Sequence, residues 1–218
     1  MAREFRRSGT FRETALRTRV ARTSGLLLVI LAAAFSAGCS MYQGSAKSAD
    51  PAEIQRRGEW TMVSDFPLVL QKDSDDCGAA ALASVLRFWG HPASPESVEA
   101  AIGGKNRRLS AGEMADHARK AGLRAYVFFG TMDDVLHELD QGRPIIVGLG
   151  KEQKTKRVLS HYEVVVGYEP KKRLVLLLDP GEGFQIDTLE GFGREWAYSK
   201  GVTIVTFLSE DDARLSDN

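Results

Sequence analysis

A cysteine at the start of a predicted helix is the residue of this sequence best placed to do chemistry. The pattern puts Cys77 in the first helical turn, because apolar residues recur after it at helical spacing. Backbone N–H groups are unpaired at a helix start and the helix dipole is positive there, so a thiolate is favoured. The apolar residues that define this buried face are Leu82, Val85, Leu86 and Trp89.

An amide side chain precedes the cysteine by six residues. Gln71 follows the apolar run of residues 66–70, which predicts an extended segment leading into the helix. From there the amide of Gln71 could reach back beside the thiol of Cys77 and donate a hydrogen bond to a developing oxyanion. The structural alternative is a small buried cysteine with no reactive role, which is common for a lone cysteine.

A histidine and an aspartate flank a predicted β-hairpin later in the chain. Residues 161–168 and 173–178 are two apolar runs separated by a turn around Pro170. With the loop centred on Pro170, His161 pairs with Asp179 and both side chains lie on one face, within roughly 5 Å of each other. A register change of one residue would place them on opposite faces, and the sequence leaves this register open.

Helix and strand patterns alternate around these residues. Ser94, Ser110 and Thr131 are at positions typical of helix N-caps. The charged run of residues 151–157 predicts a solvated loop, with a flap over a substrate groove as the alternative. Strands are predicted over residues 123–128, 144–149, 184–187 and 202–208, and a short helix over residues 189–198.

Composition fits one globular domain and argues against nucleic-acid binding. The chain has 218 residues, of which 43% are hydrophobic and 27% charged. Residues 1–38 hold seven Arg and two Glu, which leaves 22 basic and 27 acidic residues, a net charge of −5, from residue 39 onward. No basic, aromatic surface is therefore expected. The sequence also has no phosphate-binding glycine loop and no metal-ligand spacing, so we expect no cofactor or metal.

The N-terminal segment predicts export and lipid anchoring. Residues 26–35 form a short apolar run after an arginine-rich stretch, and small residues lead to Cys39. This resembles the lipobox of bacterial lipoproteins, in which residues 1–38 would be removed and Cys39 acylated. A plain signal anchor, or ordinary cleavage nearby, is the alternative. Ser40, rather than an aspartate, favours the outer membrane, with the protein facing the periplasm.

The polar stretch after the lipidated cysteine has the composition of a linker. Residues 39–65 begin with small and polar residues, which predicts a flexible tether to the domain. With Cys39 lipidated, Cys77 has no disulfide partner in the chain. A lone thiol in an oxidising compartment favours a catalytic role.

The order Gln, Cys, His and Asp resembles that of papain-like cysteine peptidases. More specifically, the sequence is similar to the bacteriocin-processing, double-glycine cysteine peptidase family, whose domain usually precedes an ABC transporter. The similarity covers residues 66–208 and leaves residues 209–218 as an acidic, frayed tail. The matching positions are Gln71, Asp76-Cys77-Gly78, Ala81-Leu82, Gly90, residues 120–123, residues 144–147, His161-Tyr162 and Asp179-Pro180.

This resemblance implies a role for each residue of the site. Cys77 would be the nucleophile, His161 would accept its proton and deliver it to the leaving amine, and Asp179 would orient the imidazole. Gln71 and the backbone N–H of Cys77 would form the oxyanion hole. The implied fold is α+β and papain-like, with N-terminal helices that carry the cysteine packed on an antiparallel sheet that carries the histidine and the aspartate.

The sequence thus predicts a free-standing, lipid-anchored cysteine peptidase of the bacterial cell envelope. Its implied partners are a peptide or protein substrate, cleaved after small residues such as Gly-Gly, the membrane, and a secretion or transport system. Acyl transfer to another amine stays open. The alternative from a different class is a non-catalytic module that binds a peptide or secretion substrate without cutting it.

Overall fold

In the described part of the chain, five of the six helices lie before residue 141 and five of the eight strands lie after it. The computed structural model describes residues 42, 44–57, 59–104 and 107–209. Its helices are α1 (Pro51–Arg57), α2 (Cys77–Phe88), α3 (Pro95–Ile102), α4 (Ala111–Lys120), α5 (Met132–Asp140) and α6 (Leu189–Ala197). Its strands are β1 (Lys47–Ser48), β2 (Thr61–Met62), β3 (Arg124–Phe129), β4 (Ile145–Glu152), β5 (Val158–Glu169), β6 (Leu174–Asp179), β7 (Gly183–Thr188) and β8 (Val202–Phe207).

A single antiparallel sheet joins the eight strands of the described residues. The strand order is β1-β7-β6-β5-β4-β8-β3, and β2 pairs with β5 off this path. Helix α2 packs on β5, while α6 packs on β4 and β7. The predicted α+β class, with the cysteine-bearing helix on an antiparallel sheet, is confirmed.

Local sequence determines where the flanking helices begin. Ser94, Ser110 and Thr131 cap α3, α4 and α5, and each forms the reciprocal capping box with the residue three positions later. Each box satisfies backbone N–H groups that a helix start leaves unpaired. These three predicted caps are confirmed, and the helices begin within a residue of their predicted starts.

Helix α2 is the most deeply buried helix of the described chain. Every residue from Cys77 to Leu86 is buried, so the helix is covered on all sides and not only on the predicted face. Small residues make this possible, since Ala79, Ala80, Ala81 and Ala83 are each at most 1% exposed. The reactive end of the helix is therefore held by close packing on every side.

Two segments differ from their predicted structure. Residues 47–62, predicted as part of a tether, form β1, α1 and β2, and Ile54 and Val63 join the hydrophobic core. The predicted charged loop begins later than expected, because β4 continues to Glu152 and Lys151 is buried. The first segment is ordered because its apolar side chains are buried. The strand continues to Glu152 because the charge of Lys151 is paired inside the protein.

Some predictions fall on parts of the chain that the structure does not describe. The predicted signal peptide, the lipidated Cys39 and all but the first residue of the acidic tail lie outside the described residues. Within the described residues, no helix combines the length and the apolar character that a membrane span requires.

A buried serine ties the extended segment before the site to helix α2. Ser84 is fully buried, and its Oγ accepts a hydrogen bond from Val69 N at 3.2 Å and donates one to Ala80 O at 3.1 Å. A backbone N–H buried without a partner is costly. Ser84 therefore fixes the segment that leads to Gln71 against the helix that begins at Cys77.

We expect Ser84→Ala to lower the free energy of unfolding by about 1–3 kcal/mol, because Val69 N–H would lose its partner inside the core. Urea denaturation of the variant and the wild-type protein measures this difference. Ser160→Ala, at an exposed position on β5, is the matched control and should change the free energy by less than about 0.5 kcal/mol. Equal losses in the two variants would contradict the assigned role of Ser84.

Candidate active site

Cys77 is the first residue of helix α2, as predicted. The residue is 4% exposed, and the first turn of the helix carries no acidic side chain that would oppose a negative charge on the sulfur. Asp76 precedes it at the N-cap but forms no capping hydrogen bond through its side chain. The backbone N–H groups of the first turn are thus directed toward the thiol end of the helix.

His161 and Asp179 are brought together by neighbouring strands. His161 Nε2 lies 2.8 Å from Asp179 Oδ1, and the His161 side chain is 15% exposed while that of Asp179 is 9% exposed. Gly181 N also donates to Asp179 Oδ1, at 2.7 Å. The carboxylate is held from two sides, so it fixes both the position and the orientation of the imidazole.

The predicted register of this hairpin was wrong by two residues. In the structure Val164 pairs with Leu178, a register that places Glu163, not His161, opposite Asp179. The turn is centred between Lys171 and Lys172, which moves the register three residues from the predicted one, and a β-bulge at Val166 brings it back by one residue. A shift of two residues keeps side chains on the same face, so His161 still reaches Asp179, along the diagonal.

The thiol of Cys77 and the imidazole of His161 act on each other. Burial alone would raise the pKa of Cys77, but the hydrogen bond and the charge of His161 outweigh it and lower the pKa overall. Backbone hydrogen bonds from Tyr162 and Gly78 add to this lowering. Together they favour the thiolate form of the cysteine.

The imidazole is correspondingly held in its charged form. Burial alone would lower the pKa of His161, but the hydrogen bonds to Asp179 and Cys77 outweigh it and raise the pKa to about 10. Burial would raise the pKa of Asp179, yet the hydrogen bond from His161 lowers it to about 2. The arrangement therefore stabilises a thiolate, an imidazolium and a carboxylate in series, which is the chemistry of an activated nucleophile.

Gln71 lies beside the loop that follows β6. Its backbone N–H donates to Pro180 O at 2.8 Å, and a Cβ added to Gly181 would lie 3.6 Å from Gln71 Nε2. The side-chain oxygen Oε1 is buried and has no hydrogen-bond partner among the described residues. The structure therefore brings the predicted oxyanion residue to Asp179 and its loop, with part of its hydrogen-bonding capacity unused.

Sequence analysis missed a second group of charged residues behind the histidine. Lys151 Nζ lies 2.6 Å from Glu163 Oε1 and 2.9 Å from Glu195 Oε2, and Glu195 is hydrogen-bonded to the hydroxyl of Tyr42. Glu163 is fully buried. The sequence does contain a signal for this charged group. Glu163 interrupts an apolar strand, and it lies two residues from His161 and therefore on the same face of the strand.

Among the described residues, the set closest to metal-ligand spacing is His161, Glu163 and Asp179. Their potential ligand atoms lie within 4.8 Å of one another. The ammonium group of Lys151 already supplies a cation 2.6 Å from Glu163, and Nε2 of His161 is engaged by Asp179. These contacts already compensate the charges of the two carboxylates, so the group does not fit a metal centre.

Comparison with known proteins connects this geometry to a family. A family model described as "Peptidase_C39 like family" matches residues 63–204. The Lactococcin-G-processing and transport ATP-binding protein LagD of Lactococcus lactis subsp. lactis is 29% identical over 129 residues, which are 59% of this chain and 17% of LagD. The match thus spans less than a fifth of that relative.

Solved structures share the fold. The peptidase domain of Streptococcus ComA, a bi-functional ABC transporter involved in a quorum sensing pathway, is 26% identical with a TM-score of 0.55, covering 66% of this chain and 99% of that domain. A double glycine motif protease from an AMS/PCAT transporter, solved in complex with the leader peptide, is 21% identical with a TM-score of 0.53. The latter comparison covers 68% of this chain and 95% of the protease.

The carboxylate of Asp179 should stabilise the fold in a pH-dependent way. Because its pKa falls from 3.8 to about 2 in the folded protein, its contribution is present above pH 4 and is lost as the pH falls toward 2. That shift corresponds to about 2 kcal/mol. We therefore expect Asp179→Asn, which keeps an oxygen acceptor, to be less stable at pH 7 and to lose less stability between pH 4 and pH 2.

Urea denaturation across this pH range measures the effect. Asp116→Asn, at an exposed site on α4, is the matched control and should follow the wild-type curve. Parallel pH curves for the wild-type protein and Asp179→Asn would show that the carboxylate is not stabilised by His161.

Proposed function

Because the chain belongs to the Peptidase_C39 like family, we propose that it is a cysteine peptidase with Cys77 as the nucleophile. The observation that carries this proposal is the pairing of His161 with Asp179 at 2.8 Å, in a site where His161 also hydrogen-bonds the thiol of Cys77. Since Nε2 of His161 faces the carboxylate, Nδ1 is the ring nitrogen left for the thiol.

In the proposed first step, the thiolate of Cys77 attacks the carbonyl carbon of the scissile peptide bond. The carbonyl oxygen gains the negative charge, which the backbone N–H of Cys77 and the amide of Gln71 would stabilise. His161 then gives its proton to the leaving amine as the C–N bond breaks, and a thioester remains. The positive charge of the imidazolium before this step is offset by Asp179.

In the second step, neutral His161 removes a proton from a water molecule, which attacks the thioester. Collapse of the resulting oxyanion breaks the C–S bond, releases the carboxylic acid and returns the thiolate–imidazolium pair. An amine in place of water would give acyl transfer by the same sequence of proton movements. We propose hydrolysis as the main reaction, in line with the peptidases that this chain resembles.

For the substrate, we propose a peptide with Gly-Gly or Gly-Ala before the scissile bond. LagD is named for processing and transport of lactococcin G, and a similar solved protease is named for its double glycine motif. A groove that admits only residues without a large side chain would bind mainly backbone atoms. We also propose that a secretion or transport system delivers this peptide, and the transporter names of the same relatives support this.

For location, we propose that Cys39 is acylated and holds the enzyme at the outer membrane, facing the periplasm. The support is the apolar run of residues 26–35, followed by small residues and the cysteine. Several acyl chains on one residue would give stable anchoring.

Digestion of a peptide library tests the activity. We expect products cut after Gly-Gly or Gly-Ala, no products from Cys77→Ala, and a rate about 100- to 1000-fold lower for Gln71→Ala, because one oxyanion donor is lost. Mass spectrometry of the products measures both the rate and the cleavage position.

Gln55→Ala, at an exposed position on α1, is the matched control and should cut at the wild-type rate. Products dominated by large residues before the cut would overturn the substrate proposal alone. Tight binding of an intact peptide, without any Cys77-dependent product, would replace the peptidase proposal by a peptide-binding module.

Replacement of the proposed lipid anchor tests the location. We expect Cys39→Ser to appear as soluble or unprocessed protein, because no acyl chain can be attached to serine in this way. Membrane fractionation and mass spectrometry of the N-terminal peptide measure this, with Cys77→Ser as a control that should remain acylated and membrane-bound. Fractionation like the wild-type protein, together with an N-terminal peptide that carries no acyl groups, would contradict the proposal.

A further inference from the structure

A second carboxylate faces the same nitrogen of the histidine as Asp179 does. Glu163 Oε1 lies 3.9 Å from His161 Nε2, and the Glu163 side chain is completely buried. The two residues are two positions apart on β5, so they share one face of the strand. The mechanism above does not use this carboxylate.

A buried carboxylate needs compensation, and Lys151 supplies it. Lys151 Nζ is 2.6 Å from Glu163 Oε1, although neither oxygen of Glu163 has a partner with hydrogen-bond geometry in the described residues. The contact is thus an ion pair that leaves both oxygens of Glu163 without a directed donor. An unpaired charge at this depth would cost far more than such a pair.

Two further residues hold the ammonium group of Lys151. Glu195 Oε2 accepts from Lys151 Nζ at 2.9 Å, and the ammonium lies 4.7 Å from the centre of the Tyr42 ring. Glu163, and after it Glu195 and Tyr42, raise the pKa of Lys151 against the effect of burial, so its charge persists. The charge of Glu163 is therefore balanced by Lys151, and the N–H of His161 at Nε2 is left to Asp179.

We infer that Glu163, with its charge balanced by Lys151, is a positioning residue that keeps His161 protonated above neutral pH. This inference rests on the proposed function, since a protonated His161 is what would deliver a proton to the leaving amine. The carboxylate of Asp179 is sufficient to orient the imidazole ring. The second carboxylate, with Glu163 Oε1 3.9 Å from the same ring nitrogen, stabilises the charged form of the ring.

The surrounding charges favour this assignment when all are considered. Cys77 and Asp179 attract the imidazolium as Glu163 does, while Lys151 repels it from behind Glu163. Burial, and after it Asp179, raise the pKa of Glu163 to about 7 against the opposing effect of Lys151 and His161, so Glu163 becomes fully charged above neutral pH. The titratable groups that face this cluster are Cys77 from α2, Lys151 from β4, His161 and Glu163 from β5, Asp179 from β6, Glu195 from α6 and Tyr42 from the N-terminal segment.

NMR titration of the His161 ring in the full-length protein tests the inference without any need for peptidase activity. We expect Glu163→Gln to lower the midpoint of the His161 titration by at least about 0.5 pH unit, a threefold loss of proton affinity. Glu163→Asp, which keeps the charge at a slightly greater distance, should give an intermediate midpoint. Spectra of His161→Gln identify the signal among the four histidines.

The same comparison in a Cys77→Ala background separates this inference from the proposed function. There the cysteine contributes no charge, and Glu163→Gln should still lower the midpoint. Glu152→Gln removes an equal charge from an exposed position on β4 and should move the midpoint by less than about 0.2 unit. An unchanged midpoint in Glu163→Gln would overturn the inference, even if the variant were less stable.

A double variant covers the case in which Glu163→Gln does not fold. Lys151→Gln with Glu163→Gln replaces the ion pair by two amides of similar size, while Glu195, which also loses Lys151, keeps the hydroxyl of Tyr42 as a hydrogen-bond donor. Glu163 is among the charges that act most strongly on His161, and Lys151 is not, so the midpoint should again fall. A midpoint equal to that of the wild-type protein, or above it, would show that the pair acts only on stability.

Discussion

The hydrogen bond between His161 and Asp179 is the contact on which the site depends. It joins two strands at the centre of the sheet, at 2.8 Å, and most of both side chains is removed from water. Exclusion of water strengthens the attraction between the two charges and makes each unpaired charge costly. The position of the Asp179 carboxylate relative to the His161 imidazole is fixed by three features. These are the register of β5 and β6, the bulge at Val166, and the loop after β6.

The cysteine enters this pair from a different part of the fold. Helix α2 is surrounded by packed side chains, and Ser84 fixes the extended segment in front of it, so the helix start has little freedom to move relative to β5. Rigid placement matters because a thiol and an imidazole stabilise each other's charged forms only at hydrogen-bonding distance. The deep burial of an alanine-rich helix thus contributes to chemistry as well as to stability.

Much of this arrangement follows from short-range sequence patterns, and the rest depends on contacts between distant residues. The start of α2 at Cys77 and the three capping boxes were predicted correctly, because a helix start is determined by a few neighbouring residues. The hairpin register was wrong by two residues, because the turn is centred between Lys171 and Lys172 and not at Pro170, and two continuous apolar runs do not fix where the turn between them is centred. Lys151 was assigned to a solvated loop because its partners, Glu163 and Glu195, are 12 and 44 residues away.

Tyr42 contacts Glu195, so the folded domain includes residues that precede the region matched by the family model, which begins at residue 63. A chain that began at residue 63 would lack this tyrosine, whose ring covers Lys151, and would also lack β1. The backbone of β7 would then present unpaired N–H and C=O groups along an open sheet edge, which is a site for aggregation. A shortened protein for biophysical work would thus need to begin no later than Tyr42, three residues after Cys39.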